Sequence, residues 1–360
     1  MTDSLPCRLI AHVDLDQFQV AVERLRTPQL QGRPVIVGGT GDPTQPRTVV
    51  TCASYEARDL GVRAGMPLRA AHRKAPEATF LPVDLDTYAV ASAQVMDTLR
   101  SFGHPVEVWG FDEAFIGILD PPSDVHAFAA EVIERVAQVT RLRCAVGLSD
   151  NKQRAKMATN EAKAQRTGDG PRIFVLDADN WMPVMGQRPT RDLWSVGAKT
   201  SARLADAGIT TVAELADTDR AELIAMFGPH QGNWLNVLAR GGGDALITAE
   251  PYVPKSHSKA ETFSADVTDS DELHARLGEM AAALHRQIRD GGREVFRVAV
   301  TLRTSTFYTR TKSKKLPAPT LEFDDIEPPL HALLDRFATD PGTEGRPVRL
   351  LGVRYELTDP

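Results

Sequence analysis

Two consecutive carboxylates, Asp112 and Glu113, lie between the apolar, β-prone runs 106–111 and 114–118. This pattern predicts two strands with the acids at or near their junction. Neighbouring side chains of a regular strand point to opposite faces, so both acids can bind one cation only where a turn or bulge redirects one of them. The alternative is a solvated hairpin turn, because turns favour Asp.

A third acidic stretch, Asp14-Leu15-Asp16, follows the apolar run 8–13 at the start of a helical pattern. A carboxylate at the end of a strand can reach the neighbouring strand. If Asp14 converges on the downstream pair, the three carboxylates form a hard, oxygen-rich site suited to Mg²⁺ or Mn²⁺. In such a site, two cations about 3.5 to 4 Å apart hold the attacking and leaving oxygens of a phosphoryl transfer in line.

Composition limits the architecture and the compartment. At 360 residues the chain is expected to form about two to four units with ample material for buried cores. The three cysteines are scattered and form no CxxC pair, which predicts a reducing compartment and neither a disulfide framework nor a zinc site. No charged-then-apolar signal segment and no run approaching ~18 apolar residues is present, so we expect a cytoplasmic protein without a membrane partner.

The distribution of charge is more informative than the net charge of −6, which by itself argues weakly against a nucleic-acid-binding protein. Between Arg293 and Lys315, seven basic residues stand against one acid, Glu294. Within this segment, residues 296–303 alternate between apolar and mostly basic or polar side chains, which predicts a half-buried strand with a basic outer face. A DNA-contacting surface and a solvated charged face both fit this pattern.

The elements around the acids are expected in a definite order. They are a strand over 7–15, a helix opened by Asp16 and Gln19 at capping-box spacing, an insert over 26–84 with short strands at 34–37 and 48–52, a helix over 86–102, the acid-bearing strand pair, a helix over 124–140 and a strand over 143–148. Without the insert, this is the split βαβ, ferredoxin-like arrangement, in which the first strand can lie beside the acid-bearing hairpin. The arrangement hosts unrelated activities, so the site must decide the function.

The residues resemble the Y-family DNA polymerases, specifically the DinB-type branch, in several ordered motifs. His12–Asp16 looks like the family's first metal-binding strand, and Phe111–Phe115 looks like its second acidic motif. Tyr55–Arg58, followed by Gly61–Pro67, resembles the fingers motif that grips the incoming triphosphate. Residues 144–163 are similar to the strand and helix that close the palm. The match covers nearly the whole chain.

The resemblance implies a template-directed DNA polymerase that acts in damage tolerance and uses two Mg²⁺ ions, with Mn²⁺ able to substitute. It implies that Asp14, Asp112 and Glu113 are catalytic and bind the metals together with the carbonyl group of Leu15. Arg and Lys neutralise phosphate oxygens and Tyr offers a hydroxyl donor, although in isolation such residues also fit a packed ring and a solvated helix face. The nucleotide-binding residues that the family implies are Phe18, Gln19, Tyr55, Arg58 and Lys163.

Gln19 departs from the family pattern. The resemblance places at this position, five residues after the first metal-binding Asp, an aromatic ring that blocks a 2′-hydroxyl group. A Gln amide has rotatable bonds and can bond to a hydroxyl, so we expect weak exclusion of ribonucleotides. In the alternative, Gln19 only completes the capping box with Asp16, and the gap is still unfilled.

Two further regions resemble DNA-binding parts of the family. Leu193–Thr200 resembles a helix-hairpin-helix, which presents backbone N–H groups to a phosphate, although Ser195 replaces the usual first glycine and an ordinary inter-helix turn also fits. Lys255–Phe263 resembles the entry to the little-finger domain. The DNA-binding residues expected from these regions and from the basic strands are Gly197, Lys199, Lys259, Arg297, Arg303, Arg310 and Lys312.

The expected fold class is α+β, with a ferredoxin-like palm carrying inserted fingers, a helical helix-hairpin-helix thumb and an α/β little-finger domain. The predicted boundaries are 1–25 and 85–172 for the palm, 26–84 for the fingers, 173–243 for the thumb, 244–255 for a linker and 256–360 for the little finger. The expected partners of this monomer are primer–template DNA and deoxynucleoside triphosphates, with ribonucleoside triphosphates also admitted. The chain stops directly after its last expected strand, so we expect no C-terminal clamp-binding peptide.

Two other functions fit parts of the pattern. A nucleotidyl cyclase can use a similar palm and two metals, but it needs neither the hairpin motif nor the basic C-terminal strands. A noncatalytic DNA-binding relative would keep the DNA-facing parts and be free to lose the acids, all three of which are present. Primer-dependent synthesis, as opposed to a cyclised product, separates the polymerase from the cyclase.

Overall fold

The computed structural model describes residues 5–165 and 170–359, a mixture of helices and strands in two compact units. Unit 1 comprises Met1–Val37, Thr51–Val62 and Glu77–Pro251. Unit 2 comprises Gly38–Val50, Arg63–Pro76 and Tyr252–Pro360. The insert expected over 26–84 contributes residues to both units.

The strands are, in chain order, β1 (Leu5–Pro6), β2 (Leu9–Leu15), β3 (Val35–Val37), β4 (Cys52–Ala53), β5 (Thr79–Leu81), β6 (Val106–Val108), β7 (Glu113–Ile118), β8 (Cys144–Ser149), β9 (Ile173–Val175), β10 (Leu246–Ile247), β11 (Ser256–Val267), β12 (Val295–Thr304), β13 (Thr309–Thr320) and β14 (Val348–Leu357). The helices are α1 (Phe18–Arg26), α2 (Tyr55–Asp59), α3 (Leu68–Lys74), α4 (Leu85–Arg100), α5 (Val125–Thr140), α6 (Lys152–Ala164), α7 (Trp181–Met185), α8 (Ala198–Asp206), α9 (Val212–Asp217), α10 (Arg220–Phe227), α11 (Pro229–Ala239), α12 (Ser270–Arg289) and α13 (Phe323–Asp335). Short 3₁₀ turns cover Pro28–Leu30 and Thr190–Asp192.

The central sheet of unit 1 has the strand order β6-β7-β2-β8-β9. β2 pairs antiparallel with both β7 and β8, and β9 pairs parallel with β8. The first strand therefore lies beside the acid-bearing hairpin, as the sequence predicted. The strand predicted over 48–52 is confirmed only at Cys52, because β4 is Cys52–Ala53. Residues 48–50 instead form an isolated bridge, with backbone hydrogen bonds joining Thr48 and Val50 to Leu68 and Met66.

Alternation along β2 decides which side chains face the acids. The odd-numbered residues from Leu9 to Leu15 pack in the main core of unit 1 with α1, α4 and α5. The even-numbered residues Ile10, His12 and Asp14 therefore lie on the opposite face, where α6 packs. Burying a Val or Leu side chain stabilises the fold by about 1.5–3 kcal/mol. A one-residue slip of β2 that moved Asp14 into the core is therefore strongly disfavoured.

Helix α6 lies close to the sheet because β8 carries Gly147 at the contact. A Cβ atom at this position would overlap the backbone of Thr159 and Ala155 in α6. At its start, α6 is capped by the Asn151 side chain, which accepts from the N–H of Arg154. These contacts fix how far the side chains of α6 reach over β2.

Helix α1 begins at Phe18, with Gln17 at its N-cap in the left-handed conformation (φ 40°, ψ 47°) and without a side-chain cap. The capping box predicted between Asp16 and Gln19 is therefore wrong. The carboxylate of Asp16 instead bonds to the hydroxyl of Tyr55 and pairs with Arg172. A cationic partner favours the carboxylate more than a backbone N–H group does.

The other helices of unit 1, α7–α11, surround a second core that includes Trp181, Leu204 and Leu235. Strand β10 falls inside the predicted linker 244–255, yet it pairs antiparallel with β1. The start of that segment is therefore tied to unit 1.

Unit 2 contains a four-stranded antiparallel sheet in the order β11-β14-β12-β13, and α12 and α13 supply the rest of its core. The strand predicted over 296–303 lies within β12, an interior strand of this sheet, with Val298, Val300 and Leu302 buried. Ala299, predicted to face outward, is also buried, because it lies between Arg354 and Ser313 of the neighbouring strands. Within 5–165 and 170–359, no helix is both long and apolar enough to cross a membrane.

Candidate active site

The acids of the two predicted motifs meet at the end of the central sheet of unit 1. Asp14 on β2 is the direct cross-strand partner of Glu113 on β7, so the two side chains share a face. The N–H group of Leu15 donates to the carbonyl of Asp112 at 2.8 Å, which fixes the turn against β2. The side chains of Asp14 and Glu113 are 14% and 20% exposed. Glu113 is the first residue of β7, so the solvated-turn alternative for Asp112 and Glu113 does not describe Glu113.

Two lysines of α6 reach the acids from above the sheet. Lys156 and Lys163 are seven residues apart, about two helical turns, and therefore share one face of α6. Nζ of Lys156 lies 3.4 Å from Oδ2 of Asp14 and also contacts Oε2 of Glu113. Lys163 pairs with the other oxygen of Asp14 and donates to the carbonyl of Leu15 at 3.2 Å. Both paired carboxylates thus have ammonium partners.

Asp112 is the electrostatically exceptional acid. Burial raises the pKa of its carboxyl group, and the charges of Asp14 and Glu113 raise it further, against a smaller opposing effect of Lys163. Burial also acts to raise the pKa of Glu113, but the contacts with His12 and Lys156 outweigh it and bring that pKa to about 2. The cluster therefore holds more negative charge than the two lysines neutralise.

His12 supports this arrangement from inside the fold. Its ring is fully buried, its Nδ1 lies 2.8 Å from Oγ1 of Thr159, and its Nε2 lies 3.5 Å from Oε2 of Glu113. Burial lowers the pKa of the His12 imidazole. Phe115 packs against the ring, with centroids 4.6 Å apart. The position of Glu113 is thus set by a rigid neighbour.

The donor set suits divalent cations, since it consists of carboxylate and carbonyl oxygens with uncompensated negative charge. In the described part of the chain, however, no three His, Cys, Asp or Glu side chains lie close enough together to hold one metal ion. Lysine ammonium groups neutralise Asp14 and Glu113 in this arrangement. The residues fit the cations by chemistry, and their side chains must rearrange to bind them.

A second polar cluster adjoins the first through Asp16. The hydroxyl of Tyr55 donates to Oδ1 of Asp16 at 2.7 Å, and the backbone N–H of Tyr55 donates to Oε1 of Gln17 at 2.8 Å. Arg172 pairs with the other oxygen of Asp16. The guanidinium of Arg58 lies 5.2 Å from the Tyr55 ring centroid. The structure therefore brings Tyr55 and Arg58 together, with Tyr55 bonded to Asp16, which directly follows Leu15.

Gln19 lies on the first turn of α1, half-buried. Its Oε1 accepts a hydrogen bond from the hydroxyl of Thr51 at 2.6 Å. The amide nitrogen of Gln19 has no hydrogen-bond partner among the described residues. Phe18, by contrast, is 3% exposed and packs edge-on against Tyr88 in the main core. Of these two predicted nucleotide-binding residues, Phe18 is buried in the core, and Gln19 has an amide nitrogen that can still donate a hydrogen bond.

The predicted helix-hairpin-helix turn has unusual backbone geometry. Ser195 has φ +80°, a conformation that L residues seldom adopt. Its Oγ accepts a hydrogen bond from Nε1 of Trp234 at 3.1 Å. Gly197 caps α8 with open space beside it, and Lys199 is exposed in the first turn of that helix. Gly197 and Lys199 thus share an accessible helix N-terminus.

The predicted DNA-binding residues of unit 2 differ in their surroundings. Lys259 is exposed on β11, and Arg303 donates through Nε to Oγ1 of Thr309 at 2.8 Å. The others have acidic partners within unit 2: Arg297 with Glu356 at 3.5 Å, Arg310 with Asp340 at 3.9 Å and Lys312 with Asp340 at 3.0 Å. Part of the predicted basic face is therefore internally neutralised.

Three residues of the site were not singled out from the sequence. Lys156 lies within the motif 144–163 without an expected role, although its spacing from Lys163 places both on one helix face. Arg172 and Thr51 carry no local signal, because their partners, Asp16 and Gln19, are remote in sequence.

Comparisons with known proteins point to one family. Residues 13–160 match the model of the impB/mucB/samB family, and residues 254–357 match the model of that family's C-terminal domain. "DNA polymerase IV 2" of Mycobacterium tuberculosis (strain ATCC 25618 / H37Rv) is 51% identical over 351 residues, covering 97% of this chain and 98% of the relative. "DNA polymerase IV" of Methanoculleus marisnigri is 34% identical over 354 residues, covering 98% and 95%.

Solved structures share the fold. A chimeric Y-family DNA polymerase superposes with a TM-score of 0.81 at 22% identity, over 97% of this chain and 98% of the chimera. DinB from Sulfolobus solfataricus superposes with a TM-score of 0.59 at 22% identity, over the same shares of the two chains. The likeness therefore extends over both units.

Proposed function

The chain belongs to the impB/mucB/samB family as a DinB-type Y-family DNA polymerase, and we propose that the hairpin carrying Asp112 and Glu113 is where it extends a primer. Such a polymerase performs template-directed, translesion DNA synthesis. In that reaction the primer 3′-oxygen bonds to the α-phosphorus of a nucleoside triphosphate and pyrophosphate leaves. The observation that carries the assignment is the cross-strand pairing of Asp14 with Glu113, beside the partly buried Asp112.

We assign the β6-β7-β2-β8 part of the sheet, with α4 and α5, to a ferredoxin-like palm over 1–25 and 85–172. The strand order, in which the first strand lies between the third and the fourth, supports this assignment. The insert 26–84 is then the fingers, 173–243 the thumb, 244–255 the linker and 256–360 the little finger. The second βαββαβ succession, over β11–β14, supports a separate C-terminal domain.

Asp14, Asp112, Glu113 and the carbonyl of Leu15 would hold two Mg²⁺ ions, for which Mn²⁺ can substitute. When bound, the cations would supply the positive charge that keeps the attacking and leaving oxygens in line. The raised pKa of Asp112 supports this role, because three neighbouring carboxylates are under-neutralised without them. On the same face of the sheet, Thr159 bonds to His12, and Nε2 of His12 lies 3.5 Å from Glu113 and helps to hold it in place.

Lys163, Tyr55 and Arg58 are proposed to bind the triphosphate. Lys163 is near the acids, and Tyr55 with Arg58 forms the adjoining cluster. With a divalent cation held at Asp14, the ammonium of Lys163 would be free to pair with phosphate oxygens, and the Tyr55 hydroxyl could donate to one of them. The charges that balance the acids thus become the charges that bind substrate.

We further propose that Gln19 admits ribonucleotides. Where the family has a ring, this chain has an amide whose oxygen is held by Thr51 and whose nitrogen is without a partner among the described residues. An N–H donor directed at a 2′-hydroxyl can bond to it, whereas a ring excludes it by overlap. Phe18 lies in the core and does not replace the missing ring.

The test is primer extension on a defined template with Mg²⁺ or Mn²⁺, comparing deoxy- and ribonucleotides. Asp112→Asn should abolish extension and keep DNA affinity, because the basic DNA-facing residues lie on other elements. Asp120→Asn is the matched control, since Asp120 is an exposed acid just beyond β7 and should be dispensable. Normal extension by Asp112→Asn, or a cyclised nucleotide as product, would contradict the assignment.

A further inference from the structure

The hairpin between β12 and β13 displays an aromatic ring in a backbone conformation that bulky residues avoid. Phe307 has φ +65°, and the residue is 63% exposed. Its N–H donates to the carbonyl of Thr304 at 3.0 Å, and the N–H of Thr304 donates to the carbonyl of Tyr308 at 2.9 Å, which closes the loop. Glycine is the residue that suits such a left-handed loop position. A phenylalanine held there with most of its surface in solvent leaves its ring available for binding.

The loop is rigid enough to present this ring. The neighbouring Tyr308 packs against Gly342, where a Cβ atom would overlap the Tyr308 ring. The N–H of Ser305 donates to the carbonyl of Pro347 at 2.9 Å, and Thr304 is fully buried. Tyr308 thus fixes the tip of the hairpin, residues 305–308, and Phe307 beside it is exposed.

Three arginines contact the loop that carries the ring. Arg349 lies over Phe307, 4.6 Å from the ring centroid. Arg346 donates to Oγ1 of Thr306 at 3.4 Å, and Arg303 donates to Oγ1 of Thr309. In the stretches that the structure describes, none of the three arginines pairs with a carboxylate. The tip therefore combines a π-surface with uncompensated positive charge.

The cationic surface continues along β13. A polar cavity of about 560 Å³ is lined by Thr309, Arg310, Lys312 and Arg336, among others. Asp340 at its edge is held by Lys312 at 3.0 Å, and hydrogen bonds from Lys312 and from the Gly342 backbone lower its pKa. This polar, mostly basic trough begins at the residue that ends the loop.

We propose that this tip is a binding site for single-stranded nucleic acid, in which one base stacks on Phe307 and the adjoining phosphates lie against Arg303, Arg346 and Arg349. Stacking on an aromatic ring is tolerant of sequence, and arginines track the backbone. In a duplex the faces of the bases are covered, so the ring selects unpaired nucleotides. The uncompensated charge disfavours an apolar protein partner. The site does not depend on the active-site assignment, since it needs neither metal nor nucleotide.

The experiment measures the binding of the full-length protein to a fluorescent oligo-dT strand and to a blunt duplex, without divalent cations. Phe307→Gly should raise the melting temperature, because glycine suits φ +65°, and should weaken single-strand binding by roughly 5- to 150-fold, the loss of one stacked base. If Phe307 had only a structural role, the variant would not combine a higher melting temperature with a lower single-strand affinity. Phe307→Trp is the matched control and should retain single-strand affinity. Duplex affinity should be nearly unchanged in both variants.

Photocrosslinking with a 5-iodouracil-substituted strand, mapped by mass spectrometry, locates the contact. A crosslink at Phe307 supports the site. Unchanged single-strand affinity of Phe307→Gly, or crosslinks confined to other residues, overturns it and leaves the tip for a protein partner. If the wild-type protein bound neither the single strand nor the duplex, the polymerase assignment would also be contradicted. Failure of the single-strand site alone is therefore distinguishable from failure of the polymerase assignment.

Discussion

The hydroxyl of Thr51 donates to Oε1 of Gln19 across 2.6 Å, so a residue before β4 fixes the orientation of a side chain on α1. The same hydroxyl lies 3.1 Å from the carbonyl of Val37. This contact restrains the amide of Gln19 without occupying its nitrogen. It turns a flexible side chain into an oriented hydrogen-bond donor at the position proposed to admit the 2′-hydroxyl.

Removing this restraint should therefore lower ribonucleotide use. In Thr51→Val, kcat/KM for a matched ribonucleotide should fall about 3- to 10-fold, the net value of roughly one hydrogen bond, with the deoxynucleotide value nearly unchanged. Thr51→Ser keeps the hydroxyl and should behave like wild type. Single-nucleotide insertion kinetics measure both constants.

Gln19→Phe tests the same position by steric exclusion. A ring in place of the amide should overlap the 2′-hydroxyl and raise discrimination against ribonucleotides by at least tenfold in the same assay. If wild type already rejects ribonucleotides by about three orders of magnitude, or if Gln19→Phe gains nothing, Gln19 is not a permissive gate.

We expect the ionised Asp112 carboxylate to lower the stability of the metal-free protein. Its pKa is raised in the folded state by burial and by the two neighbouring acids. A folded-state pKa above the unfolded value means that the acid favours folding when protonated, at low pH, and that this contribution is lost as pH rises through the folded pKa. At pH 7 without metal, Asp112→Asn should therefore melt at a higher temperature than wild type while failing to extend a primer.

The control for this prediction is pH itself. The advantage of Asp112→Asn should shrink as the pH falls below the folded-state pKa of Asp112, because the wild-type carboxyl is then neutral too. Added Mg²⁺ should also shrink it, by stabilising the wild type selectively. A variant that is less stable than wild type at pH 7 would show that the charge cluster is already neutralised.

Much of this site followed from local patterns, and the rest required long-range contacts. Strand alternation and the register of β2 placed Asp14 beside the acid hairpin, since a slip would bury it in the core. The capping-box prediction failed because Asp16 binds Tyr55 and Arg172, which lie 39 and more than 150 residues away in sequence. Composition alone does not reveal such partners. The left-handed Phe307 was equally hidden, since its loop carries no glycine to mark a turn.

In the metal-free protein, we expect the ammonium group of Lys156 to supply positive charge that Mg²⁺ supplies when it is bound. It contacts both Asp14 and Glu113, so Lys156→Met leaves two partly buried carboxylates facing each other with less compensation. We expect a lower melting temperature than wild type in EDTA and a larger stabilisation by Mg²⁺, since the cation now supplies the missing charge. Lys152→Met is a comparison, because its partners Glu107 and Asp244 lie outside the acid cluster and its loss should not be rescued by Mg²⁺. Equal Mg²⁺ responses in both variants would argue against a cation site at Asp14 and Glu113.

Ser195 should be a strained position in the helix-hairpin-helix turn. Its φ of +80° costs an L residue about 1 kcal/mol relative to glycine, and the hydrogen bond from Trp234 offsets part of that cost. Ser195→Ala removes the bond and keeps the strain, whereas Ser195→Gly removes both. The glycine variant should therefore exceed the alanine variant by about 1 kcal/mol in the free energy of unfolding, measured by denaturant titration. If the two variants are equally stable, the left-handed conformation of this turn is not a property of the protein in solution.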